Sequence, residues 1–284
     1  MPELPEVETT AALVRPHLEG RRVRGVVVDW QRSIGATSPR DFERAVVGAR
    51  ITAVGRRAKY IVMELARGRA RAGALLCHLR MTGRLVVQPP RADPGPYRRV
   101  SLILDRGVLH FLDVRKFGRL TWHADPAERL AALGPEPLGD AFTVAWLRAA
   151  LRARRRALKP LLLDQEFLAG LGNIYVDESL HGSGLHPLRR SDRVPRAGVA
   201  RLHAEIQRVL RAAIAREGSS FDAFYRTPEG QPGSYQDQFQ VYGRDGDPCR
   251  RCGRTLVRIV VGQRGTHLCT RCQPAPRPRG ASSP

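Results

Sequence analysis

The rhythm of hydrophobic and polar positions changes along the chain. Over residues 5–15 the apolar side chains Val7, Ala11 and Val14 share one helical face. Pro5 suits a first helical turn, and Pro16 and Gly20 are placed to end the helix. Short runs rich in Val, Ile, Leu and aromatics then predict strands at 22–30, 50–55, 59–66, 73–80, 97–104, 108–113 and 119–123. One helix, 39–47, interrupts them. So many short strands imply a two-layer β-sandwich. Around 134–140 the stretch GPEPLGD reads as a linker. The period then becomes helical, with apolar residues at 3–4 spacing over 143–156, about 160–168, 173–182 and 198–216.

Gly, Ser, Pro and Gln dominate 218–238 and predict a loop, a cysteine-bearing module fills 240–273, and the tail 274–284 is expected to be disordered. The class is α+β. The expected division is a β-sandwich domain with flanking helices over 1–133, a linker, a helical domain over 141–239, and the cysteine module.

Composition narrows the partners. With 284 residues and 42% hydrophobic content the chain can build a real core. No run approaches the roughly 20 apolar residues of a membrane span. The start, MPELPEVETT, lacks the basic and apolar regions of a secretory leader, so a soluble, intracellular protein is expected. A net charge of +21 points to a polyanion, above all nucleic acid. The plain alternative is a merely solubilising basic surface. Of the 48 basic residues only Lys59, Lys116 and Lys159 are lysine, and Asn173 is the one asparagine. Where these residue types are so scarce, their positions are worth following.

Four of the five cysteines form Cys249-x-x-Cys252 and Cys269-x-x-Cys272, separated by 16 residues. This is metal-ligand spacing, and two close thiolate pairs complete a tetrahedral structural zinc site. A pair of disulfides is the competing reading, disfavoured inside a cell. Between the pairs Val257, Ile259 and Val261 alternate as in a hairpin strand, which puts Gln263, Arg264 and Gly265 at the turn. Cys77, within an apolar strand, reads as a buried core thiol.

The start of the chain carries chemistry of its own. Removal of Met1 would leave Pro2 with a free secondary amine. Such α-amines titrate near 8, against about 10.4 for lysine, so more of the amine is neutral and nucleophilic. Attack on a sugar C1′ would give an iminium, and Glu3 beside it could donate a proton. By itself this reading is weaker than that of an ordinary N-terminal proline.

Motifs in order along the chain change that balance: PELPEVETT, Arg57-Ala58-Lys59-Tyr60, His78-Leu79-Arg80-Met81-Thr82-Gly83, Asp113-Val114-Arg115-Lys116-Phe117-Gly118, Leu163-Asp164-Gln165, Gly170 to Glu178, Val241 to Arg244, and Gln263 to Thr266. Together they resemble bacterial formamidopyrimidine-DNA glycosylase, from residue 1 to about 273. The resemblance implies a helix-two-turns-helix domain before a zinc-bound hairpin, and one structural zinc ion. It also implies base excision repair of oxidised purines, 8-oxoguanine and formamidopyrimidines, by glycosylase and strand-cleaving lyase action with β,δ-elimination.

By that resemblance Pro2 is the nucleophile, Glu3 the adjacent acid, Lys59 an aid to β-elimination and Arg264 an aid to δ-elimination. Glu6 matches another acid of the pocket. Met81, Arg115 and Phe117 match residues that fill the space left by an extruded nucleotide. Asn173 matches a phosphate-binding asparagine, although helix capping alone would account for it. Arg155 matches a DNA contact, while Arg152, Arg154, Arg156 and Lys159 read equally as a solvated face. Tyr97 stands where many relatives have histidine. Loop 218–238 matches a segment covering the flipped base.

The expected partner is double-stranded DNA with oxidised bases, bound by a monomer in the bacterial cytoplasm, at the nucleoid, with no membrane role. Two other readings compete. An endonuclease VIII-like enzyme would share fold and nucleophile but prefer oxidised pyrimidines. A non-enzymatic zinc protein would bind damaged DNA without needing Pro2, Glu3, Lys59 and Arg264.

Overall fold

The computed structural model describes residues 1–221 and 225–276. Positions 222–224 of the predicted loop and 277–284 of the predicted disordered tail lie outside them. Contacts divide the chain into two compact units, Met1–Ala132 with Ala213–Gln236, and Leu133–Ala212 with the chain from Asp237 onward.

The first unit begins with helix α1 (Leu4–Leu18) and carries two four-stranded antiparallel sheets. One is ordered β1 (Val23–Val28), β6 (Arg98–Leu104), β7 (Val108–Asp113), β5 (Gly83–Gln88). The other is β2 (Arg50–Arg57), β3 (Tyr60–Arg67), β4 (Ala70–His78), β8 (Arg119–His123). Alternation drives the packing. Along β3, Ile61, Met63 and Leu65 point inward and the residues between them are more exposed. They join Val100, Leu102, Leu109 and Phe111 from the other sheet, and Val7, Ala11, Val14 and Leu18 from α1, in one core. Cys77 is buried in it, and burial raises its thiol pKa. Helix α2 (Pro39–Val46) and the short α3 (Pro126–Leu130) complete this part.

Two details depart from the sequence reading. Helix α1 runs through Pro16 to Leu18. The missing N–H removes one late helical bond, and burying Leu18 completely offsets it. Strand β5 was not among the expected strands. It begins with Gly-Arg and carries an apolar run of only three residues, Leu85 to Val87.

In the second unit lie α4 (Val144–Arg152), α5 (Leu158–Leu163), α6 (Asn173–Ser183), most of α7 (Arg196–Ile214) and the hairpin of β9 (Val257–Val261) and β10 (Arg264–Leu268). The expected linker 134–140 is in fact pinned. The Gly134 N–H donates to the Gln165 carbonyl at 2.9 Å, and Ala169 N–H donates to that of Pro135 at 3.1 Å. A Cβ on Gly134 would stand 2.5 Å from the Phe167 carbonyl oxygen, so this close approach requires glycine. Residues 213–236, expected with the helical domain, group with the first unit instead. Their polar groups close on α1, as described next.

Candidate active site and zinc centre

Pro2 is buried immediately before α1. The helix is capped by its own first residues. Glu3 N–H donates to Glu6 Oε2 at 2.8 Å, and the Glu3 carboxylate accepts from the Glu6 backbone in return. The other Glu6 oxygen accepts the Ser219 N–H at 2.8 Å. Gly218 abuts the Glu6 side chain so closely that a Cβ would come within 2.7 Å, and its φ of +80° also calls for glycine. Glu6 therefore fixes the start of the 218–238 loop against the chain's first turn. Ser220 is used within that loop, its N–H donating to Gln236 Oε1 and its hydroxyl to the Tyr225 carbonyl. Thus Glu6 joins both elements through its carboxylate.

Lys59 lies in the two-residue turn between β2 and β3 and is 6% exposed. Beyond it His78 stacks edge-on against Tyr60 and accepts the Arg80 N–H on Nδ1 at 3.1 Å. Burial, then the charges of Arg80, Lys59 and Arg129, push the His78 pKa down to about 3.

Met81, Arg115 and Phe117 occupy two loops of the first unit. Met81 follows β4 and the others follow β7. Phe117 is 50% exposed, and the Arg115 guanidinium sits 5.0 Å from its ring centre. Between them Lys116 places its ammonium 4.4 Å from the centre of the Trp30 ring. Tyr97 is 48% exposed, one residue before β6.

Backbone strain marks the same places. Among the described residues five non-glycines have positive φ: Ala58, Arg80, Lys116, Glu217 and Gln263. They adjoin, in order, Lys59, Met81, the Arg115–Phe117 pair, the 218–238 loop and Arg264. Left-handed L-residues cost about 1–2 kcal/mol each, and such strain concentrates at working sites. The strain is a signal independent of the motifs.

In the second unit Asn173 is the first residue of α6, while the cap is Gly172. Capping is therefore not what Asn173 does. Its Nδ2 donates to the Gly265 carbonyl at 3.0 Å and contacts the Tyr242 hydroxyl at 3.5 Å. Gly265 also accepts from Lys159 Nζ at 2.9 Å. Lys159, expected on a solvated face, is wholly buried and pairs with Asp177 at 2.7 Å. Asp177 in turn accepts the His267 N–H at 2.9 Å. Lys159 and Asp177 thus tie α5 and α6 to β10, a role the sequence reading missed. The only signal was the rarity of lysine.

Gly262 and Gln263 both have positive φ and form the hairpin turn, so Arg264 and Gly265 belong to β10 and not to the tip. Arg264 is exposed at its start, and Arg155 is exposed in the loop between α4 and α5. Arg156, beside it, pairs with Asp164 at 2.7 Å.

The four cysteines converge, with all their sulfurs within 4.8 Å of one another. Cys249 and Cys272 are 3.9 Å apart, and Cys252 and Cys269 3.5 Å. A tetrahedron with Zn–S bonds near 2.3 Å requires sulfur separations of about 3.8 Å, so the residues fit zinc. Burial, then the neighbouring sulfurs, push the Cys272 thiol up to about 12 in the absence of metal. Glu178, buried on α6, accepts the N–H groups of Gln240, Val241 and Tyr242 and anchors the chain that leads into this centre. The His181 Nε2, also on α6, lies 3.6 Å from the Cys249 sulfur.

Two four-stranded sheets with Pro2 buried ahead of a capped helix, a helical domain and a four-cysteine hairpin are the parts of one class, the zinc-finger DNA glycosylases of base excision repair, as comparison with known proteins shows. Three family patterns match in succession: the formamidopyrimidine-DNA glycosylase N-terminal domain over 1–120, the H2TH domain of the same enzymes over 133–224, and the zinc finger found in FPG and IleRS over 246–275. A formamidopyrimidine-DNA glycosylase of Xanthomonas oryzae is 44% identical over 276 residues, covering 96% of this chain and 100% of that protein. The Roseiflexus enzyme of the same name is 45% identical at the same coverage.

Among solved structures, the Thermus thermophilus MutM (Fpg) protein aligns with a TM-score of 0.85 at 39% identity, covering 96% and 98% of the two chains. A Lactococcus lactis Fpg variant, solved with a Fapy-dG-containing DNA, aligns at 0.88 and 32% identity, covering 96% and 100%. The chain belongs to the formamidopyrimidine-DNA glycosylase family, and its four clustered cysteines are arranged to bind one zinc ion.

Proposed function

We propose that this glycosylase removes oxidised purines from duplex DNA with Pro2 as nucleophile. Removal of Met1 frees the Pro2 amine, which attacks C1′ of an extruded nucleotide. The bond from C1′ to the base breaks, and the base leaves with a proton supplied through Glu3. The C1′–O4′ bond then breaks, O4′ takes up the proton given up by the amine, and the opened sugar is held as an iminium. Loss of a C2′ proton then breaks the bond to the 3′ phosphate, and a second elimination breaks the bond to the 5′ phosphate. Lys59 and Arg264 bind the phosphates and assist the two eliminations. Met81, Arg115 and Phe117 occupy the vacated stack, while Asn173, Arg155 and Tyr97 hold backbone. Zinc supplies no step; its four thiolates fix the hairpin that carries Arg264.

Support for the nucleophile comes above all from the burial of Pro2 directly ahead of a reciprocally capped helix, where an N-terminal amine would be held in one orientation. The ordered motif set supports the remaining roles, and strained residues adjoin Lys59, Met81, Arg115, Phe117 and Arg264. No helix is long and apolar enough to cross a membrane among the described residues. The reading places the enzyme on bacterial DNA in the cytoplasm, acting as a monomer.

Borohydride trapping on an 8-oxoguanine duplex tests it, with mass analysis of the cross-linked peptide. The adduct should map to Pro2, and Pro2→Gly should slow excision by about 10³-fold or more. Protein retaining Met1 should bind the duplex yet form no adduct. An adduct on Lys59, or full activity with Met1 in place, would defeat the proposal.

A further inference from the structure

The two loops that carry Met81, Arg115 and Phe117 meet on one buried carboxylate. Asp113, the last residue of β7, is 1% exposed. Its Oδ1 accepts from the Thr82 hydroxyl and from the Arg115 N–H at 3.2 Å. Its Oδ2 accepts the Gly118 N–H at 2.7 Å. The Thr82 oxygen, itself buried, accepts the Arg115 N–H at 3.0 Å. The Asp113 backbone continues the pattern: its N–H donates to the Tyr97 carbonyl at 2.9 Å, and its carbonyl accepts Arg99 Nε at 2.8 Å.

Asp113 therefore brackets the Arg115–Phe117 segment at both ends, and Thr82, the residue after Met81, ties that segment to the Met81 loop. The clasp has no slack. A Cβ on Gly118 would stand 2.5 Å from the Phe111 ring, and one on Gly83 would stand 2.4 Å from the Leu79 carbonyl oxygen. Arg80 and Lys116, one in each loop, are held at positive φ.

We infer that Asp113 and Thr82 are positioning residues that hold Met81, Arg115 and Phe117 in register as one wedge. The inference rests on the proposed void-filling role of those three. Exposed loops tipped with Phe and Arg would otherwise sample many conformations, and ordering them during each extrusion would cost conformational entropy. The buried carboxylate settles that ordering at folding, before DNA is met. Asp113 touches neither sugar nor base in this scheme.

The test separates wedge geometry from general damage by the choice of substrate. Excision from an 8-oxoguanine:cytosine duplex needs the wedge. Cleavage of a single-stranded abasic oligonucleotide leaves no void; it needs the amine and the groups that assist elimination, but no wedge. Thr82→Val removes the hydroxyl at nearly constant shape. It should slow single-turnover excision from the duplex roughly tenfold, the weight of one lost buried hydrogen bond, and leave single-strand cleavage unchanged. Thr82→Ser should restore the duplex rate to within about threefold. Asp113→Asn, checked for folding by thermal melting, should reproduce the split.

Equal losses on both substrates, or no loss on either, would overturn the inference. Phe117→Ala serves as the reference. If it slows duplex excision while Thr82→Val does not, the positioning role alone falls. Should Phe117→Ala itself leave duplex excision untouched, the wedge reading falls, and the clasp with it.

Discussion

His78 is a neutral base set among cations. Its Nδ1 accepts a backbone N–H, which assigns the remaining proton to Nε2. Burial and the charges of Arg80, Lys59 and Arg129 hold its pKa near 3, whereas an unfolded histidine titrates near 6.5. The unfolded chain therefore takes up the proton first as pH falls. Stability contributed by His78 is complete above about pH 6.5 and is lost progressively toward pH 3. His78→Asn offers an acceptor oxygen in place of Nδ1 but cannot titrate. Urea titrations of this variant should show a shallower decline between pH 6.5 and 4 than the parent. Some decline remains, because burial also pushes His181 down to about 4.

Glu3 yields a second prediction at this scale. Its carboxylate both caps α1 and stands next to the proposed nucleophile. Glu3→Gln keeps a capping oxygen but cannot pass a proton to a departing base. Excision of 8-oxoguanine should fall about 10²–10⁴-fold, while borohydride trapping on a preformed abasic site persists. Loss of both would mean that the cap, and not the proton, was the essential feature.

Helices and strands were legible where one face is buried, and illegible where the information sits in a partner element. Strand β3 was readable because Ile61, Met63 and Leu65 alternate. Strand β5 escaped because its apolar run, Leu85 to Val87 between Arg84 and Gln88, is shorter than the roughly four residues that mark a strand. The tip of the β9–β10 hairpin was misplaced by a residue or two, since only backbone angles reveal that Gly262 and Gln263 form the whole turn. Lys159 shows the limit most clearly. Arginines at 152 and 154–156 precede it, so it was grouped with them on a solvated face, yet its partner Asp177 lies 18 residues on, along α6.

That buried pair makes its own prediction. Lys159→Met strands a carboxylate in the interior and should destabilise the second unit by about 3–5 kcal/mol. Lys159→Met with Asp177→Leu should recover much of the loss, though not the bond to Gly265 or that to His267. Denaturant titration of the single and double variants measures the difference. An unaltered midpoint in the single variant would show that water reaches the pair and that it does not fasten β10.

At the scale of the whole molecule the excess of 21 positive charges must serve every duplex the enzyme meets, damaged or not. Each phosphate neutralised releases condensed counterions, so the logarithm of affinity falls with the logarithm of salt in proportion to the phosphates held. If about 6–10 phosphates are engaged, affinity for lesion-free DNA should drop roughly 10³–10⁵-fold between 50 and 200 mM salt. The residues then sort by what they do to that slope. Arg155 is exposed and proposed to hold a phosphate, so Arg155→Ala should reduce the slope by about one and weaken lesion-free and lesion-bearing duplexes alike.

Phe117 carries no charge. Phe117→Ala should leave the slope unchanged and reduce only the preference for the duplex with the lesion. Fluorescence anisotropy across a salt series, with both duplexes and the parent beside both variants, gives all six slopes. A changed slope in Phe117→Ala would mean that the exposed ring orders its charged neighbours Arg115 and Lys116 on the backbone. Its main role would then be electrostatic positioning and not insertion between bases.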